Sequence, residues 1–153
     1  MQGVGFVDEV DEHQVDALVH VASTRLAQVS APTVTFARPL LHPEAILLPA
    51  SPARSVVAIR DAIRDSFPEA GLGSAPEPRD GFLPHVSLAY ISQDGPAAPI
   101  LTALARSTPP PATVEIRRAS LIVLDRDHRM YQWREYAVAP LAGLGSPATS
   151  PTR

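Results

Sequence analysis

Residues 113–125, TVEIRRASLIVLD, and 130–141, MYQWREYAVAPL, are rich in β-branched and aromatic residues, and only the polar stretch RDHR (126–129) separates them. Two such runs joined by so short a polar link read as an antiparallel hairpin. A lone hairpin is marginal in water, so the rest of the chain must bring strands and helices to cover its apolar face. That requirement limits the fold to classes that mix antiparallel sheet with helix.

The chain supplies both. In residues 8–29, DEVDEHQVDALVHVASTRLAQV, positions Val15, Leu18, Val19, Ala22 and Leu26 recur at helical spacing. Acidic residues crowd the start and Arg25 stands near the end, the polarity a helix dipole favours. TVTFARP (33–39) alternates Val34 and Phe36 on one side and HPEAILLPA (42–50) is a short apolar run, so two strands are expected to pair across the Pro39–Pro43 turn. Ser51-Pro52 reads as a helix start, a capping hydroxyl ahead of proline at the first helical position. That helix is expected to run to about Phe67 and to bury Val56, Ile59, Ile63 and Phe67. PEAGLGSAPEPRD (68–80) is a loop by composition, FLPHVSLAYI (82–91) a strand, and Ile100–Arg106 a short helix stopped by the prolines at 109–111. The order is helix, two strands, helix, strand, short helix, two strands: an α+β domain over residues 1–141 with mostly antiparallel sheets and helices on the outer faces, then a disordered tail at 142–153.

The 153 residues suit one domain of ordinary size. All thirteen basic residues are arginine, and the net charge is −3. An acidic chain is poorly suited to coating long duplex nucleic acid, an affinity that many phosphate contacts supply, whereas one or two arginines suffice for a small phosphorylated ligand. With no cysteine there is no disulfide framework and no thiolate for catalysis or metal binding. No run approaches the ~20 apolar residues of a membrane helix, and the acidic start MQGVGFVDEVDEH has no signal-peptide pattern. The expected place is the cytoplasm, with no membrane partner.

The stretch with chemistry is FLPHVSLAY (82–90). Alternation along a strand puts His85, Ser87 and Ala89 on one face and Val86, Leu88 and Tyr90 on the other. An imidazole exchanges protons near neutral pH and a nearby hydroxyl can hold a phosphate oxygen. A solitary His-x-Ser recurs by chance, but the apolar neighbours Leu83, Pro84, Val86 and Leu88 set this one in a strand that reads as buried. Elsewhere the ordinary readings prevail. His42 is a surface turn residue before proline, and His13 and His20 lie too far apart on their helix for a metal pair. Asp125, Asp127 and His128 mark a turn. Tyr131, Trp133 and Arg134 could stack on a base, but aromatics at alternate strand positions usually pack in a core. GLGS (71–74) lacks the lysine and the preceding strand of a phosphate loop.

The motif Phe82-x-Pro84-His85-Val86-Ser87-Leu88-Ala89 resembles that of the two-histidine (2H) phosphoesterases, the group of 2′-5′ RNA ligases and cyclic phosphodiesterases, and the resemblance extends over most of residues 1–140. It implies a pseudo-two-fold fold with two His-x-Thr/Ser copies facing a cleft. One histidine acts as base and the other as acid on a 2′,3′-cyclic phosphate, the hydroxyls hold the phosphate, and no metal or cofactor is called for. By that resemblance His85 and Ser87 are the second catalytic copy, with Tyr90, Tyr131 and Trp133 as substrate-binding candidates. Many relatives place an arginine where Tyr90 stands. The implied partner is an RNA end or a small cyclic nucleotide, and hydrolysis is favoured over ligation because no feature supplies an energy source.

No second His-x-Ser or His-x-Thr occurs in the chain. Met1 falls where the apolar residue after the first copy is expected, so the resemblance implies a fold lacking its first strand and helix, with the first histidine encoded upstream of a false start. A chain so truncated is expected to expose a sheet edge and to be marginally stable or self-associate. The competing readings are a non-catalytic nucleotide or RNA-end binding module that keeps half a site, and a plain structural domain.

Overall fold

The computed structural model describes residues 2–107, 109–125 and 132–143. In chain order the elements are α1 (Glu12–Leu26), β1 (Thr33–Phe36), β2 (Leu40–Leu41), β3 (Ala45–Ser51), α2 (Ala53–Arg64), β4 (His85–Tyr90), α3 (Ala97–Arg106), β5 (Ala112–Glu115), β6 (Arg118–Asp125) and β7 (Gln132–Pro140). All strand pairs between these elements are antiparallel, so the α+β class holds. The chain forms two compact units. The first takes the described residues within Met1–Pro32, Ala58–Arg79 and Ile116–Arg153, and the second Thr33–Val57 and Asp80–Glu115.

In the first unit α1 starts at Glu12, four residues later than the polarity pattern suggested. The Asp11 carboxylate caps it by accepting a hydrogen bond from the His13 backbone N–H at 2.8 Å, which satisfies one of the donors a helix start leaves open. Leu18, Ala22 and Leu26 bury one stripe of α1. Leu26 packs with Ala31, Ile59 and Leu141, and Leu18 with Phe67 and Ala70, while Ile63 touches both clusters. Phe67, as expected, is fully buried, although α2 ends three residues before it. β6 and β7 pair along their whole length, and Ala31 and Ala142 are joined by a hydrogen bond that ties the end of β7 to the segment after α1.

A polar network fastens the loop after α2. Arg60, only 7% exposed, donates to the carbonyls of Pro78 (2.9 Å) and Arg79 (3.2 Å). Arg64 donates to Gln2 Oε1 at 2.9 Å and to the Glu77 carbonyl, and the Glu77 carboxylate accepts from the Gly3 N–H at 2.8 Å and from the Gln2 amide. Arg79 in turn bridges Asp61 and Asp65.

In the second unit β3 is central. β1 and β2 pair along one side of it and β4 along the other, while β5 pairs with β1. The expected pairing across Pro39–Pro43 forms, with the short β2 as an addition, and the tight turn at its end is closed by reciprocal hydrogen bonds between His42 and Ala45.

Three expectations need correction. Ser51 does not cap α2; it is the last residue of β3, where pairing with Thr35 claims its backbone. The run 113–125 is not one strand. It breaks at Ile116–Arg117, its first part pairing with β1 and its second with β7, because Ile116 hydrogen-bonds Pro32 and packs into the first unit's core. α3 begins three residues earlier than expected, behind Pro96. The expected turn at 126–129 with Asp127 and His128, the residue Met1 and the residues from 144 onward lie outside the described residues.

Candidate active site

β4 is launched by Gly81, whose φ of +79° is a conformation that glycine adopts without strain. Its ladder with β3 extends past both ends of the strand, from Ala50 N–H to the Pro84 carbonyl (2.8 Å) and from Ile91 N–H to the Glu44 carbonyl (2.9 Å). Among the described residues β4 pairs on one side only. The strand is also not buried as its apolar neighbours suggested: Val86, Leu88 and Tyr90 are 48%, 53% and 59% exposed.

The His85 ring is fixed by one contact, 2.7 Å from Nδ1 to the carbonyl of Leu83. A carbonyl only accepts, so Nδ1 carries the proton and donates it. The neutral ring therefore keeps the lone pair on Nε2, the nitrogen that points away from the backbone bond. This is the tautomer that a proton acceptor or, once protonated, a proton donor at Nε2 requires. Ser87 is half-buried, and among the described residues its hydroxyl makes no hydrogen bond.

The register changes the expected division of faces. His85 stands opposite Pro49, Ser87 opposite Leu47 and Ala89 opposite Ile46, with a shift that leaves Leu88 as an extra residue in β4. This β-bulge breaks the simple alternation. Tyr90 stands opposite Ala45, and Ala45, Leu47 and Pro49 are alternate residues of one strand, so Tyr90 shares the face of His85 and Ser87 while Ala89 leaves it. Alternation alone had assigned both the wrong way round. The same rule adds hydroxyls that the motif did not reveal. Ser51 lies two residues beyond Pro49 on β3, Thr35 is opposite Ser51, and Thr113 is opposite Thr35, with the two threonine hydroxyls 3.2 Å apart. The alternation of TVTF with TVE was the available signal, but only the pairing of β1 with β5 makes it a row.

Trp133 belongs to the first unit, opposite Leu124, and is 65% exposed. It is therefore not the core aromatic that its strand position suggested. Tyr131 lies outside the described residues. His42 is an exposed turn residue and His13 and His20 are exposed on α1, as read. Among the described residues no three His, Asp or Glu side chains gather as metal ligands, and no helix is long and apolar enough to cross a membrane. Arg64, Asp65, Ser74 and Arg79 line an open hollow of about 270 Å³ in the first unit; its charged groups are engaged in the network above. Two groups of that unit are held off their ordinary values. Arg79 is raised, chiefly by its hydrogen bond to Asp65, and Tyr136 is raised, chiefly by donating to the Asp16 carboxylate at 2.9 Å.

The sequence pattern of the 2′-5′ RNA ligase superfamily matches residues 2–128. The chain belongs to that superfamily. Solved structures share the fold. A phosphoesterase superposes with a TM-score of 0.62 at 17% identity, covering 91% of this chain and 75% of that one. LigT of E. coli complexed with ATP gives 0.61 at 16% identity over 91% of this chain and 74% of that one. A protein of Thermus thermophilus gives 0.61 at 17% identity over 90% and 75%. No curated relative matches the chain by sequence. The superfamily's 2H fold is thus the fold of this chain, and its phosphoesterase and 2′-5′ ligase chemistry is the class in which the site is to be read.

Proposed function

We propose that the chain is a cytoplasmic phosphoesterase that opens 2′,3′-cyclic or 2′-5′ phosphodiesters of RNA ends or small nucleotides, with His85 as one proton-transfer residue and Ser87 as a phosphate ligand. The supporting observation is the pairing on one face of an imidazole with a free Nε2 and a hydroxyl that has no other partner among the described residues. In hydrolysis a water oxygen bonds to phosphorus, the bond to one ribose oxygen breaks, the water's proton passes to a base and another proton goes to the departing oxygen. His85 Nε2 performs one of those two transfers. Ser87 Oγ–H donates to a non-bridging phosphate oxygen, which stabilises the charge that gathers there. The ATP held by the related LigT agrees with a nucleotide-sized ligand.

A second reading, a nucleotide or RNA-end binding module, draws on the single His-x-Ser in the sequence. Turnover of a 2′,3′-cyclic nucleotide and of a 2′-5′ dinucleotide separates the two. The phosphoesterase reading expects turnover that His85→Ala lowers by roughly 10²-fold or more, the usual worth of a general acid or base, and that Ser87→Ala lowers less. Affinity that falls in His85→Ala with no turnover in any form supports the binding module instead.

A further inference from the structure

Ser51, Thr35 and Thr113 carry the face of His85 onward over β3, β1 and β5. Ser51 is diagonal to His85, because Pro49 lies opposite His85 and Ser51 two residues beyond Pro49. Diagonal neighbours of this kind stand roughly 7–8 Å apart. Thr35 is opposite Ser51 and Thr113 opposite Thr35, and each of these steps adds roughly 5 Å. Ser51 and Thr113 are exposed and Thr35 is half-buried. Among the described residues the Ser51 hydroxyl makes no hydrogen bond. The two threonine hydroxyls lie 3.2 Å apart; one donates to the other, which leaves the pair an O–H and spare lone pairs for another molecule. The charged residue of β5 on this face is Glu115, two residues from Thr113.

A neutral threonine pair beside a carboxylate is a poor match for a phosphate, which arginine serves far better. It is a good match for a ribose, whose 2′-OH both donates and accepts. We propose that Thr35 and Thr113 form a ribose subsite for the nucleotide that precedes the phosphate-bearing one, so that this face takes the end of an RNA chain in preference to a mononucleotide. With the terminal phosphate at His85 and Ser87, a placement that rests on the phosphoesterase reading, the linking phosphate upstream comes to Ser51 and accepts a hydrogen bond from its hydroxyl. The next ribose then lies over the threonine pair. The register sets the direction, since the row leaves His85 on the side away from Ser87. The subsite itself requires no turnover.

Calorimetric titration of the full chain tests this with three ligands. They are uridine 2′-monophosphate, the dinucleotide UpU ending in the same phosphate, and its analogue with deoxyribose in the first nucleotide. The wild type should bind the all-ribose dinucleotide roughly tenfold more tightly than the deoxyribose analogue, the worth of one or two hydrogen bonds. Thr35→Val combined with Thr113→Val should bind the two dinucleotides alike and leave uridine 2′-monophosphate unchanged. Thr35→Ser combined with Thr113→Ser retains both hydroxyls and should keep the difference. Ser51→Ala should weaken both dinucleotides equally and the mononucleotide not at all. Equal affinity of the wild type for the two dinucleotides, or a difference that survives in the valine variant, overturns the assignment, as does a mononucleotide weakened there to the same extent. A threonine-dependent ribose preference without His85-dependent turnover would keep the subsite and defeat the phosphoesterase reading. His85-dependent turnover with no ribose preference would do the reverse.

Discussion

Replacing Arg60 by methionine should destabilise the protein by about 2–3 kcal/mol, although methionine is the better core residue. The guanidinium is 7% exposed and donates to the carbonyls of Pro78 and Arg79 at 2.9 and 3.2 Å. Hydrogen bonds from a charged donor contribute roughly 1.5–3 kcal/mol each, which puts the pair at about 3–6 kcal/mol. Against this stands the cost of keeping a cation out of water, which methionine removes. The balance favours arginine here because both acceptors belong to a loop with no ladder of its own, so losing the donor also frees the segment leading to Gly81 and β4. With an m-value of about 2 kcal/mol/M, the urea midpoint should fall by about 1 M. Arg60→Lys should lie between the two, since an ammonium cannot span both carbonyls with the planar fork of arginine. A methionine variant as stable as the wild type, or more so, would refute the reasoning. It would mean that desolvation outweighs the two bonds.

Two further outcomes are expected. Leu26→Ala, at a position 1% exposed against Ala31, Ile59 and Leu141, should cost about 2–5 kcal/mol in chemical denaturation by leaving a cavity in the first unit; a loss below about 1 kcal/mol would mean that the cluster collapses around the gap. Tyr136 is raised above its ordinary value, so its neutral form is the one the fold prefers. The stability it contributes is complete below the unfolded-state pKa and is lost as pH rises through the folded value. Melting temperature should thus fall more steeply above about pH 10 for the wild type than for Tyr136→Phe, and parallel alkaline profiles would contradict the Asp16 contact.

Much of this was legible in the sequence, for reasons that can be traced residue by residue. α1 and α2 were visible because Leu18, Ala22 and Leu26, and Ile59 and Ile63, repeat with the helical period and face a core. The type of β4 was visible in FLPHVSLAY, but its exposure was not, since whether an apolar strand is covered depends on neighbours far along the chain. The bulge was equally hidden: nothing local marks Leu88 as the extra residue, and the face of Tyr90 follows only from its pairing with Ala45. TVEIRRASLIVLD looked like one strand because every part of it suits a sheet; what breaks it at Ile116 is the choice of two different partners, β1 and β7. Nothing local in the sequence marks Arg60 as buried; its burial comes with a loop whose carbonyls at Pro78 and Arg79 accept from it. For the candidate site, His85 and Ser87 were evident from the motif, whereas the Leu83 carbonyl and the hydroxyls of Ser51, Thr35 and Thr113 needed the fold.

The central claim is that His85 holds its Nδ1–H on the Leu83 carbonyl and presents Nε2, for one of the two proton transfers, to a phosphate beside Ser87. Nitrogen-15 NMR of the histidine rings, recorded with the neutral imidazole and then with an added nucleotide 2′-monophosphate, tests it most directly. The account predicts that His85 carries its proton on Nδ1 and that the nucleotide shifts its Nε2 resonance, with the effect reduced in Ser87→Ala. A His85 ring protonated on Nε2, or one indifferent to the nucleotide, would contradict it.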